Sequence, residues 1–306
     1  MNKSKCPICG SNHTLKNGKR NRVQLYKCGD CGYQFRNSRL PSNSELWTLY
    51  QENKQTVSEL SEIFKVSEST IRRRLGELSI VWKQQPLSGS GFVHLDATYW
   101  GHNWGVMLAL DECTGRPLYV AFIKHETNED YIDAVHSIEE RGYVIKGLIL
   151  DGRQSLFKIF AGYKIQMCQF HMRQIVTRYL TRNPRLKASK ALAGIMAELT
   201  SSSKMAFVEA FQNWKHTYHI TINRRTLLKN GRTKFTHQRL HTAMRSIEFF
   251  LPYLFTYQDP ECMGMPNTNN KIEGTFTDLK NNLNVHSGLS IENRKRFICG
   301  FFLALK

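Results

Sequence analysis

The chain of 306 residues carries 43 lysines and arginines against 25 aspartates and glutamates, a formal net charge of +18, and its length exceeds what one compact core usually organises, so two or three domains are expected. Charge of that sign draws polyanions over a Debye length and puts nucleic acid first among partners, although it says nothing of the fold. The longest apolar runs, Phe249 to Phe255 and Phe301 to Leu305, fall short of the roughly 20 residues a membrane-crossing helix needs, and Met1, Lys3 and Lys5 open on no apolar stretch, so no membrane association and a cytosolic, nucleoid-associated location are expected.

In a reducing compartment the eight cysteines read as metal ligands, core residues or reactive thiols rather than disulfides. Four of them stand as Cys6-x2-Cys9 and Cys28-x2-Cys31, the spacing of a four-thiolate zinc site. Each Cys-x-x-Cys turns two sulfurs toward one tetrahedral ion, and a site with four protein ligands has no open position for chemistry. The metal, Zn2+, is therefore expected to be structural. Thr14 to Lys19 and Val23 to Lys27 flank Asn17-Gly18 as two short strands would in a zinc ribbon over residues 1–40. Lys16, Lys19, Arg20, Arg22 and Lys27 are candidate phosphate contacts.

Residues 44 to 80 read as three short helices within a DNA-binding domain over 41–82, and Thr56 to Ile71 resembles a helix-turn-helix. Val57, Leu60, Ile63 and Phe64 mark a buried face, Val66 sits in the turn, Ser67 is the expected N-cap, and Ile71 and Leu75 anchor the next helix. Ser69, Thr70, Arg72, Arg73 and Arg74 are expected on its exposed face. That mix of side chains suits both base edges and phosphates in a major groove. Residues 83–91 carry Pro, Gly and Ser without apolar periodicity and read as a linker.

From Phe92 the pattern changes to strands: Phe92 to Thr98, Trp104 to Leu110 and Pro117 to Ile123, with Asp111 in the second turn. A helix from about Asn128 to Arg141 follows, opened by a capping box of Thr127 and Asp130. Val144 to Leu150 is a buried strand ending at Asp151, Leu156 to Phe160 a helix, and Ile165 to Cys168 another strand. Met172 to Tyr257 reads as all-helical. Arg224, Arg225, Lys229, Arg232 and Lys234 within it suggest a DNA-facing surface. Tyr99, Trp100 and Trp104 are expected in the core, with stacking on an unpaired base as the alternative. Cys113, Cys262 and Cys299 are expected to be packing residues.

The order strand, strand, strand, helix, strand, helix, strand is similar to that of a ribonuclease H-like fold. In that resemblance one carboxylate lies on the first strand, a second at the end of the fourth and a third on a later helix. Asp96 and Asp151 take the first two places. Such a set holds two hard divalent ions roughly 4 Å apart, which stabilise the attacking and leaving oxygens of a phosphodiester. Glu273, after the Asn-rich stretch Asn267 to Asn270 and at the start of a helix, is the best candidate for the third. Asp259, Glu261 and Asp278 are its rivals. Lys280, about two turns beyond, shares its helix face and suits a phosphate.

Leu95-Asp96-Ala97-Thr98, Leu150-Asp151-Gly152, Cys168-Gln169-Phe170-His171 and Thr268-Asn269-Asn270-Lys271-Ile272-Glu273 together resemble bacterial insertion-sequence transposases of the Mutator superfamily, in a zinc-ribbon variant, over essentially the whole chain. The resemblance implies a multidomain α+β and α/β protein: zinc ribbon, helix-turn-helix, and a mixed-sheet catalytic domain over 92–306 with a helical insertion at about 175–262. It implies a catalytic triad of Asp96, Asp151 and Glu273 using Mg2+ or Mn2+. It also implies recognition of terminal inverted repeats and target DNA, and at least a homodimer, since two element ends must be joined. Cys168 and His171 belong to the family motif. Two ligands make an incomplete zinc site, so a structural or DNA-positioning role is favoured for them. The competing readings are a transposase-derived repressor that binds DNA without cutting it, and a different nuclease of the same fold.

Overall fold

The computed structural model of the protein describes residues 5–20, 23–36, 41–101 and 104–305. Strands β1 (Thr14–Arg20), β2 (Val23–Cys28) and β3 (Gln34–Arg36) come first, followed by helices α1 (Asn43–Gln51), α2 (Val57–Phe64) and α3 (Glu68–Gly76). Strands β4 (Ser90–Trp100), β5 (Trp104–Asp111) and β6 (Pro117–Ile123) precede α4 (Asn128–Glu140), β7 (Val144–Leu150), α5 (Gln154–Ile159) and β8 (Ile165–Met167). Then come α6 (Gln169–Leu180), α7 (Lys187–Ala197), α8 (Lys204–Thr217) and α9 (His219–Asn223), the strands β9 (Arg225–Leu227) and β10 (Thr233–Phe235), and α10 (Gln238–Phe250). Short 3-10 turns between Leu251 and Cys262 lead to α11 (Asn270–Val285) and α12 (Ile291–Ala304). The chain divides into two compact units, Met1–Trp82 with Thr277–Ala304, and Lys83–Phe276 with Leu305–Lys306.

In the first unit β1, β2 and β3 form an antiparallel sheet in that order. Strand β3 is an addition to the two strands expected from the sequence. At three residues it is too short to show an alternation, and it is held by Phe35, buried and stacked on Tyr26 at 5.8 Å. Capping boxes open α1 at Ser42 with Glu45 and α2 at Thr56 with Glu59, satisfying backbone N–H groups that each helix start leaves over. Helix α2 stops at Lys65, whose φ of 51° lies in the left-handed region, and α3 begins at the Ser67 cap. Leu60, Ile71 and Leu75 are buried between them. Ile63 is not on that face, contrary to expectation. It is 54% exposed, because a helix of only eight residues buries a narrow stripe around Leu60.

The end of the chain belongs to this unit too, whereas the sequence pattern grouped everything from 92 to 306 together. Trp47 and Tyr50 of α1 pack on Phe297 of α12 at 6.4 and 5.9 Å, and Tyr50 lies 4.1 Å from the ring of His286. The Arg296 guanidinium sits over Trp47 and donates to the Leu75 carbonyl. Aromatic contacts of this kind join residues far apart in sequence and carry no local signature.

In the second unit a five-stranded mixed sheet runs in the order β6-β5-β4-β7-β8. Strands β6, β5 and β4 pair antiparallel as a meander, while β7 and β8 lie parallel to β4. Every residue of β5 is buried, and β7 buries its last four, Gly147 to Leu150, as strands covered on both faces must. Tyr131, Val135 and Ile138 of α4, Phe157 of α5 and Phe250 of α10 join Leu148 and Leu150 in one apolar cluster. The Thr127–Asp130 capping box of α4 is formed.

The segment expected to be all-helical contains a hairpin. Strands β9 and β10 pair antiparallel around Gly231, whose φ of 77° suits glycine. The Arg225 guanidinium stacks 4.3 Å above Phe235, which in turn stacks on His241 at 3.7 Å. Basic side chains at the strand positions mask the alternation that would have marked them as strands. Cys113 is likewise exposed rather than packed, because it occupies the β5–β6 turn, whereas Cys262 and Cys299 are buried as expected. Trp104 is buried and stacks on Trp100 at 5.0 Å, in keeping with the core reading.

Leu150 is fully buried at the end of β7, immediately before Asp151. Leu150→Ala is expected to lower unfolding free energy by about 2–5 kcal/mol through lost burial and a residual cavity. Urea denaturation followed by far-UV circular dichroism measures it, and a loss below about 1 kcal/mol would contradict the packing described.

Candidate carboxylate site and nucleic-acid interface

Strand β4 pairs parallel with β7, with His94 opposite Ile149. Continued two residues further, that register sets Asp96 beside Asp151 at the carboxyl end of β7, the side on which open α/β sheets carry their sites. Asp96 keeps a window to solvent but lies deep within protein. Burial lifts its carboxyl to about 8, the negative charge of Asp151 adds to this, and Glu126 and Glu273 contribute further, against a hydrogen bond from the Ala97 N–H. Asp151 Oδ1 accepts the Arg153 N–H at 3.1 Å.

Glu126 went unnoticed in the sequence, since it follows β6 without any motif. Its Oε1 accepts from the buried Tyr131 hydroxyl at 2.9 Å and from Arg153 Nη1 at 3.1 Å. Arg153 is held in turn by Asn128 Oδ1 at 2.9 Å. One arginine two residues past Asp151 thus ties the α4 entry to the end of β7. Asp111 behaves as a hairpin-turn residue. Burial raises its pKa, but hydrogen bonds from Tyr143 and Thr114 outweigh that and hold it below the ordinary range.

Glu273 lies in the first turn of α11, its backbone N–H bonded to the Asn269 carbonyl. The turn before it is pinned from two sides. Fully buried His94 on β4 contacts Asn269 Oδ1 through Nδ1 and Glu112 Oε2 through Nε2, each at 2.5 Å, and Lys271 donates to the Glu112 carbonyl. On the other side Asn267 and Gln169 exchange hydrogen bonds, and the Asn269 N–H donates to Cys168 Sγ at 3.2 Å. Burial pushes the Cys168 thiol up to about 11, opposed by backbone N–H groups of His171, Asn269 and Phe170. Nδ1 of His171 lies 3.6 Å from Glu273 Oε1. Of the rivals, Glu261 pairs with Lys164 at 2.9 Å, Asp259 is half-buried and Asp278 is exposed on α11.

Among the described residues, two groups of three or more potential metal ligands have all their ligand atoms within 4.8 Å of one another: Cys6, Cys9, Cys28 and Cys31, and Cys168, His171 and Glu273. Asp96, Asp151 and Glu273 do not close to that distance, although they share one electrostatic environment. In the four-cysteine group Cys6 and Cys31 sulfurs are 3.6 Å apart, as are those of Cys9 and Cys28. The backbone N–H of Cys31 lowers the Cys28 thiol to about 6, while the Cys9 and Cys31 thiols are raised beside it.

In the first unit Arg72 and Arg73 project from α3, paired along the helix with Glu68 at 2.8 Å and with Glu77. Ser69 is exposed and Thr70 half-buried. Arg74 departs from expectation. Its side chain is only 14% exposed and is bound to Asn43 Oδ1 and the Pro41 carbonyl, so it fastens α3 to the start of α1 instead of facing solvent. Lys16, Lys19, Arg20 and Lys27 are described and Arg22 is not. Lys280 is exposed on α11, and Arg224, Arg225, Lys229, Arg232 and Lys234 are exposed on and around the β9–β10 hairpin. Among the described residues no helix is long and apolar enough to cross a membrane.

Residues 46–81 match the DeoR-like helix-turn-helix domain. The chain therefore carries a helix-turn-helix DNA-binding domain, spanning α1 to α3, beside a mixed α/β sheet unit. No curated protein matches the chain.

The raised pKa of Asp96 has a consequence for stability. Between the ordinary value of 3.8 and about 8, the unfolded chain ionises this carboxyl while the folded chain keeps its proton, so stability falls as pH climbs through that window. Asp96→Asn removes this loss. In magnesium-free buffer the variant is expected to melt above wild type by a margin that grows from the acid to the alkaline end of the window. A margin independent of pH would refute the assignment.

Proposed function

We propose that the protein is a DNA transposase of the Mutator superfamily type, in which a ribonuclease H-like core cuts and joins DNA and the N-terminal modules find the element's ends. The observation that carries this reading is the influence on Asp96, within β4, of the Asp151 charge just past the end of the parallel strand β7, with Glu273 and Glu126 near enough to help lift Asp96 to about 8. A buried carboxyl crowded by carboxylates is an environment that a cation relieves. The donors are hard oxygens, which suits Mg2+ or Mn2+. Such ions, when bound, stabilise the attacking and leaving oxygens of an in-line phosphoryl transfer.

The protein's own groups do the rest. Asp96, Asp151 and Glu273 are the proposed metal ligands and triad, with Glu126 held back from the pair by Tyr131 and Arg153. In the first step water attacks phosphorus at the element end, the P–O3′ bond breaks and the 3′ oxygen takes up a proton. In the second, that 3′-hydroxyl attacks a target phosphodiester and displaces the target's own 3′ oxygen. Arg72, Arg73, Ser69 and Thr70 read terminal repeats from α3. Lys280 and the basic hairpin hold phosphates without regard to sequence. The four-cysteine group holds one structural Zn2+ in a zinc ribbon. Joining two ends in one event requires at least a dimer on chromosomal DNA.

The test uses DNA carrying the sequences that flank the protein's own gene, with Mg2+ or Mn2+, comparing wild type with Asp151→Ala at matched folding and DNA affinity. Wild type is expected to cleave and join strands, and the variant to lose at least about 100-fold, in keeping with removal of a principal electrostatic group. A wild type that binds these ends but never cuts them would reassign the protein as a repressor.

A further inference from the structure

We propose that Cys168, His171 and Glu273 form a binding site for one thiophilic divalent ion of the zinc class, separate from the four-cysteine group and from the Asp96–Asp151 pair. The proposal concerns metal binding and stands whether or not the protein cuts DNA.

Sequence alone offers two ligands, a Cys-x-x-His too sparse for zinc. The fold supplies a third. Cys168 caps the start of α6 and His171 lies in its first turn, while Glu273 comes from the first turn of α11, far along the chain. Their ligand atoms, one sulfur, one nitrogen and one oxygen, all lie within 4.8 Å of one another. The 3.6 Å between His171 Nδ1 and Glu273 Oε1 is the separation expected of two ligands about 2.0–2.2 Å from a shared tetrahedral ion. His171 Nδ1 is buried and makes no hydrogen bond, so its lone pair is available to an ion.

The surroundings of the sulfur support the assignment. Cys168 is fully buried, and the backbone N–H of Asn269, four residues before Glu273, donates to its Sγ at 3.2 Å. Such a donor favours a metal thiolate, because it offsets the negative charge left when the proton departs. The same turn is fixed from its far side by the buried His94–Asn269 contact, so the third ligand arrives on a braced backbone rather than a free loop.

Donor chemistry selects the ion. Thiolate and imidazole favour zinc over magnesium, and three protein ligands leave a fourth position for water. Loading displaces the Cys168 proton to solvent, with no change in oxidation state.

The full-length protein, loaded with Zn2+ and dialysed against excess Mg2+, is assayed for zinc per chain beside Cys168→Ser and His171→Gln. Circular dichroism verifies that each variant is folded, and the histidine variant decides the matter where the buried serine impairs folding. Wild type is expected to hold one more zinc per chain than either variant. Cobalt substitution is expected to give a sulfur-to-metal charge-transfer band that weakens in Cys168→Ser. Equal zinc in wild type and folded variants overturns the proposal, as does a difference that the magnesium dialysis abolishes.

Discussion

Two acidic side chains, Asp96 within β4 and Asp151 just past the end of its parallel neighbour β7, impose the constraint around which the second unit is organised. Asp96 and Asp151 are brought near each other by the parallel pairing of β4 with β7. The hydrophobic register that packs Val93, Leu95, Leu148 and Leu150 thus also fixes the carboxylates. Like charges in partial burial repel and are poorly solvated, and the folded chain meets that cost by keeping Asp96 protonated well above its ordinary range.

The surrounding polar groups distribute charge around this pair. Arg153 is shared between the Asp151 backbone turn and Glu126, which offsets the charge of a competing carboxylate; among the described residues no cationic side chain is in hydrogen-bond contact with the pair. Glu273 approaches on a helix whose leading turn is held by His94, Glu112 and Lys271 on one side and by Cys168 and Gln169 on the other. The turn before Glu273 is therefore specified by contacts with β4, the β5–β6 turn and the α6 N-terminus.

Much of this was legible in the sequence. The core strands are apolar runs punctuated by turn residues, and Asp96 and Asp151 stand out because each interrupts or ends one. The cysteine pairs and the helix-turn-helix carry spacing that only a few folds require. What was hidden is tertiary. Glu126 matters only because Tyr131 and Arg153 reach it, and Arg74 is withdrawn from the α3 surface only because Asn43 and Pro41 lie beside it. The β9–β10 hairpin hides behind charged residues. The packing of Phe297 on Trp47 joins segments that no local pattern connects. Cys168 and His171 are two ligands on paper and three only when the fold delivers Glu273.

Binding of a hard divalent cation at the proposed Asp96–Asp151 site is measured by the melting temperature of zinc-loaded protein as a function of Mn2+ concentration. A ligand that binds only the folded chain raises stability with the logarithm of its concentration above Kd. The account predicts a rising melting temperature in wild type and a flat one in Asp151→Asn. A flat response in wild type, or an equal rise in both proteins, would contradict it.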